Sequence, residues 1–279
     1  GCAQTYWTFE DTLTQIGLGY GVLYLLALRS VRVQWIAFGI FLIGYWLAFA
    51  LYPLPPADFD WNRVGVASDW PHQLTGFAAH WNKNSNLAWT FDTWFLNLFP
   101  RDLFFTSHEG GYVTLSFIPT LGTMLLGLIA GGVLCGPRQN WNKVRWLMMA
   151  GVIGLLAGVL LDWLELCPLA KRIWTPSWVL FSGGWCLLLL AGFYAVMDMG
   201  SYKRWAFPLV VIGMNSMAAY VITHLFVPFI RQNLITHFGL NDFKLFGKPY
   251  QSLVIGFLVL LILWGLLFWM YRRKLFLRV

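Results

Sequence analysis

Long apolar runs, interrupted at short intervals by charged or proline-rich stretches, set the pattern of this chain. The runs are 13–28, 33–51, 115–134, 146–161, 178–197, 205–226 and 253–271. Most approach the roughly twenty residues that cross a hydrocarbon core of about 30 Å at about 1.5 Å per residue. The pattern predicts an all-α fold: a polytopic transmembrane helical bundle of about seven helices, one domain over 1–279. Pro53, Pro55 and Pro56 stop the second run and open the one long loop, residues 52–112. Within it, 88–99 is apolar but too short to span, so it is expected to lie along the interface or re-enter.

Composition agrees with a membrane class. Hydrophobic residues make up 58% and charged residues 11%, against roughly 25% charged in an ordinary soluble domain. The lipid bilayer is therefore the first expected partner. A net charge of +7 invites a nucleic-acid reading, but its distribution argues for topology and against nucleic acid. Arg29 and Arg32 fall between the first two runs, and Arg138, Lys143 and Arg145 between the third and fourth. Lys203 and Arg204 precede the sixth, and Arg272, Arg273, Lys274 and Arg278 follow the seventh. These connections all fall on one side, which the positive-inside rule makes cytoplasmic. The C-terminus is then cytoplasmic, and Gly1 and the 52–112 loop are exterior, as expected of a multi-pass protein of a bacterial inner (plasma) membrane. An exterior start with no leader ahead of it is expected of a chain whose upstream crossings are missing.

The sixth run carries the most unusual polar step, Gly213-Met214-Asn215-Ser216, with His224 further along. Read as one straight helix from Trp205, it puts Asn215 roughly 15 Å in, near the bilayer midplane, and His224 at the opposite interface. An amide at that depth must face the bundle interior, as a functional group or as interhelical glue. The long loop is rich in Trp, Asn and Asp, among them Trp70, Trp81, Asn82, Asn84, Asn86 and Asp92, a set that suits sugar rings and hydroxyls and equally an interfacial tryptophan belt. Glycines recur in the first run (Gly17, Gly19, Gly21) and third (Gly122, Gly127, Gly131, Gly132), as expected of helix-packing faces. Cys2, Cys135, Cys167 and Cys186 have no metal-ligand spacing and are expected to be buried free thiols. The histidines make no metal site by spacing either, so no metal is expected.

Several segments together resemble the transmembrane heparan-alpha-glucosaminide N-acetyltransferase family. They are Gly213-Met214-Asn215-Ser216 followed by Tyr220-Val221, Lys171…Trp174…Ser177, the ending Tyr271-Arg272-Arg273-Lys274-Leu275-Phe276, and Glu109-Gly110 ahead of Leu126-Gly127…Ala130-Gly131. Leu13…Gln15-Ile16-Gly17…Tyr20 fits as well. The resemblance implies acetyl transfer from cytosolic acetyl-CoA, a co-substrate, across the membrane to an amino-sugar or glycan acceptor. It implies Glu109, Lys171, Trp174 and Ser177 at the acceptor, and Asn215, Ser216 and His224 in catalysis. The histidine that the family uses for acetyl transfer lies in an earlier loop absent from this chain, so the chain alone is expected to be inactive. The phosphates of coenzyme A would be met by Arg138, Lys143, Arg145, Lys203 and Arg204, for which topology determination is the plainer reading.

A sugar or lipid-linked-sugar transporter is the competing expectation, since a midplane amide and glycine-rich helices would serve it equally. A homo-oligomer is left open.

Overall fold

The computed structural model describes residues 7–67, 69–200, 203–239, 243 and 247–277. Cys2, Gly1 and Arg278 lie outside the described residues. Among those described, the protein is all-α and polytopic. Five helices are long and apolar enough to cross a membrane, and a sixth span is a bent pair. The chain divides into two compact units, Gly1–Ala195 and Val196–Val279.

The first unit contains α1 (Thr12–Ala27), α2 (Val31–Ala50), α3 (Leu87–Phe95), α4 (Phe117–Cys135), α5 (Asn140–Trp163) and α6 (Pro176–Phe193). Polar side chains mark the starts. The Asp11 carboxylate accepts from Leu13 N–H at 3.0 Å, and Asn86 Oδ1 accepts from Trp89 N–H at 3.0 Å. Thr175 caps α6, with Pro176 in the first turn, where its missing N–H costs nothing. The α1–α2 turn is closed from inside: Gln34 Nε2 donates to the carbonyls of Leu26 and Arg29, both at 3.2 Å.

α4 is the central helix, packed on α1, α2 and α6, while α5 lies along α6. The α5–α6 approach is the closest in the unit and requires glycine. A Cβ on Gly158 would stand 2.7 Å from the Ser177 carbonyl oxygen, and one on Gly184 2.7 Å from that of Gly151. The glycine faces expected on α1 and α4 are only partly used. Gly19 meets Leu121 and Met124, and Gly122 meets Leu42, but Gly17, Gly21, Gly127, Gly131 and Gly132 have open space where a Cβ would stand. Cys167 is a buried thiol as expected, whereas Cys135 and Cys186 are free and exposed on the helical surface. An apolar surface turned to lipid has no need to bury them.

One end of this unit gathers the long loop, the start of α4 and the 164–175 connection. Tyr45 Oη donates to the Ile173 carbonyl at 2.9 Å and Trp46 Nε1 to that of Leu166 at 2.7 Å. The loop is built on the polar residues that read as sugar ligands in the sequence. Asn82 holds both Leu74 N–H and Leu74 C=O, Asn84 donates to the carbonyls of Val64 and His108, and Asn86 caps α3. All three are buried, so their amides satisfy the loop's own backbone. The short apolar stretch is α3, held against the chain entering α4 by Asp92, whose carboxylate accepts from Thr114 N–H at 2.9 Å.

In the second unit the predicted straight helix over 205–226 is replaced by a broken one. α7 (Phe207–Gly213) and α8 (Ser216–Phe238) meet at Met214-Asn215 and bend by 70°. Asn215 has φ −133° and ψ 42°, outside helical geometry, and follows Gly213, a poor helix former. α9 (Gln251–Arg272) runs antiparallel to α8. Ala218 packs with Leu267 at one end, and Ile230 and Leu234 against the Val254–Leu263 cluster toward the other. α7 crosses only the last turns of α9, with the Phe207 ring 6.1 Å from Phe268 and 5.8 Å from Tyr271.

Candidate functional site

A cavity of about 410 Å³ opens at the loop end of the first unit, within the range of small-molecule sites. Two segments far apart in sequence form most of it. The loop supplies Trp70, His72, Leu74, Trp81, Asn82 and Lys83; the turn before α6 supplies Ala170, Lys171, Arg172 and Ile173; Gly111 closes one side. The Tyr45 and Trp46 hydrogen bonds above tie that turn to α2, and Arg172 ties it to the loop at Gly110.

Two of its three cationic side chains, Lys83 and Arg172, are held in place. The Lys83 ammonium lies 4.9 Å from the centre of the Trp70 ring. Its stem rests on Gly111, whose φ of +71° suits glycine, and a Cβ there would come within 3.0 Å of Lys83 Cγ. Arg172 Nη1 donates to the Gly110 carbonyl at 2.5 Å, and the guanidinium stands 5.9 Å from the Tyr112 ring centre. Burial first, and the Arg172 charge second, pull the Lys83 pKa below its ordinary value, with Glu109 acting in the opposite direction. Asn82 lines the wall, but its amide is engaged by Leu74.

Of the acceptor residues implied by the resemblance, Lys171 lines this cavity. Glu109 is exposed nearby, next to the carbonyl that holds Arg172. Trp174 and Ser177 do not line it. Trp174 adopts φ 50° and donates from Nε1 to Thr123 Oγ1 at 3.1 Å, fixing the turn to α4. Ser177 is wholly buried and donates to the Pro168 carbonyl at 2.7 Å, beside Thr175. Both build the turn that presents Lys171 and Arg172. Trp70, Lys83 and Arg172 were missed as a group because no local spacing connects them; only the fold places them on one opening.

The expected catalytic residues lie in the second unit, at depths different from those expected. Asn215 is fully buried, but its amide donates to the Leu275 carbonyl at 3.0 Å and its Oδ1 accepts from Leu277 N–H at 3.2 Å. Leu275 and Leu277 follow the last turn of α9, so Asn215 sits level with the end of that helix and not at its middle. Ser216 opens α8, and His224 lies about 12 Å further along, toward the helix middle rather than its far interface. There Nδ1 lies 2.9 Å from the Tyr220 carbonyl, and the two rings are 4.1 Å apart. The reason for the difference is the bend: α7 no longer continues the axis of α8.

The basic residues expected at coenzyme A differ among themselves. Lys143 is buried and donates to the Leu134 carbonyl at 2.7 Å, closing the end of α4. Arg138 and Arg145 are exposed at the end of the first unit away from the cavity. In the second unit Lys203 lies 3.8 Å from Asp198, both largely exposed, and Arg204 is exposed.

Comparison with protein-family models finds no match, and comparison with curated proteins finds none either.

Proposed function

We propose that this protein is a membrane-embedded acyltransferase that takes an amino-sugar acceptor in the loop-end cavity, on the exterior side of a bacterial inner membrane. The carrying observation is the convergence of Lys171, Arg172 and Lys83 with the Trp70 and Trp81 rings on one sugar-sized opening. Lys171 belongs to the segment Lys171…Trp174…Ser177 that resembles acetyl-CoA-dependent enzymes of this type, and Trp174 and Ser177 support it from behind. In this reading Lys171 and Arg172 orient the acceptor, and the rings exclude water from one of its faces. Acetyl-CoA would supply the activated acyl group. Arg138 and Arg145, exposed and with no carboxylate within 4.0 Å among the described residues, suit its phosphates. Lys143 does not, being committed to Leu134.

The test is acetyl transfer to glucosamine by the full-length protein reconstituted in vesicles, with acetyl-CoA supplied on the Arg138 side. Transfer that is lost in Lys171→Gln with unchanged folding supports the reading. Acetylation absent under all conditions, with the sugar itself moving between compartments, favours a transporter. One observation gives that second reading weight: the α7–α8 break is the kind of discontinuous helix on which transport sites are built.

A further inference from the structure

We propose that the loop-end cavity recognises an anionic ligand: a sugar-sized molecule whose phosphate, carboxylate or sulfate group is held by Lys171, Arg172 and Lys83. This deepens the acceptor-site reading, on which it rests, by naming the group that the site grips.

Three cations share one opening, yet among the described residues none has a carboxylate within 4.0 Å; the ion pairs there are His108–Glu10 and Lys203–Asp198. Glu109 is near enough to be felt by Lys83 but stays exposed and outside the lining. Like charges brought together repel, and an exposed lysine is free to swing away into water. Lys83 does not, because Trp70 and Gly111 hold it, and Arg172 does not, because Gly110 and Tyr112 hold it. Preorganised cations lose little freedom on meeting an anion, and a guanidinium presents parallel donors to carboxylate or phosphate oxygens.

The remaining polar wall points the same way. The Asn82 amide is already engaged, so the side-chain groups left to read a ligand are the cations, His72, the ring faces and the unpartnered Trp81 indole N–H. Arg172 also has a structural use, tying the turn before α6 to Gly110. Lys171 is exposed, and among the described residues its ammonium makes no ion pair. A third cation at that place serves a ligand better than it serves the turn.

The experiment is a tryptophan-fluorescence titration of the purified full-length protein in phosphatidylcholine nanodiscs, without any acyl donor. Glucosamine 6-phosphate and glucuronate are expected to bind at least about tenfold more tightly than glucosamine, with affinity falling as salt rises. Lys171→Gln, at an exposed side chain with no ion pair among the described residues, should weaken that preference, and so should Arg172→Lys. Nanodiscs containing phosphatidylglycerol separate the sources. Competition with the sugar phosphate there identifies a lipid headgroup as bearer of the anion, and its absence identifies a soluble or glycan-borne one. Equal binding of neutral and anionic sugars, or a preference untouched by Lys171→Gln, overturns the proposal. Anion binding in a protein that transfers no acetyl group would leave it standing while removing the acyltransferase reading.

Discussion

Asn215 and Leu275, sixty residues apart, are joined by a hydrogen bond of 3.0 Å from the Asn215 amide to the Leu275 carbonyl, and Leu277 N–H returns one of 3.2 Å to the same side chain. The residue at the helix break thus clasps the chain leaving α9. Asn215 does not cap α8 with its side chain, because that side chain is engaged elsewhere.

Asn215→Ala should therefore act first on stability. It removes a fully buried amide and both of its hydrogen bonds, whose backbone partners are only part-buried, a loss of about 1–2 kcal/mol. Thermal unfolding measured beside turnover per folded molecule checks this. A normal melting temperature with a large drop in turnover would show that the clasp is not the main role of Asn215.

The basic residues opposite the cavity should separate by their contacts. Lys143→Ala removes the cap on Leu134 and should lower stability by about 1 kcal/mol. Arg145→Ala, with an exposed side chain, should leave stability within about 0.5 kcal/mol and weaken acetyl-CoA binding. Unfolding curves and acetyl-CoA titrations on the two variants decide it.

Asp92 should make stability depend on pH. Burial raises its pKa to about 6, against the opposing hydrogen bonds from Thr114. The raised folded value means that its protonated form stabilises the fold. That contribution is complete below the ordinary carboxylate value near 3.8 and is lost as pH rises through about 6. Melting temperature should fall between pH 4 and pH 7, and Asp92→Asn should flatten that slope while keeping an acceptor for Thr114. An unchanged slope would assign the dependence to other groups.

Gly158→Ala should be among the costlier single-methyl changes in the protein. Its Cβ would meet the Ser177 carbonyl, the Phe181 N–H and the Phe181 Cβ, all within 2.9 Å, so helices α5 and α6 must part. A loss of about 1–3 kcal/mol is expected, against little effect for Gly131→Ala, where the space is open. Paired melting curves in detergent would test the contrast.

What the sequence determined by itself was the class of structure and the approximate place of most of its helices. Length and hydropathy are local quantities, and a run such as 146–161 cannot satisfy its backbone in lipid except as a helix. The tertiary structure decided where the polar groups went. Asn82, Asn84 and Asn86 looked like sugar ligands, but their amides were needed by a long loop with many backbone groups to satisfy. Asn215 counted as midplane only while its helix was straight; the break places it level with the end of α9 and His224 nearer the middle of α8. The cavity joins Trp70 and Lys83 to Lys171 and Arg172, a meeting set by the hold of Tyr45 and Trp46 on the turn before α6 and of Arg172 on Gly110. No spacing along the chain encodes such a meeting, because contacts between distant segments depend on packing.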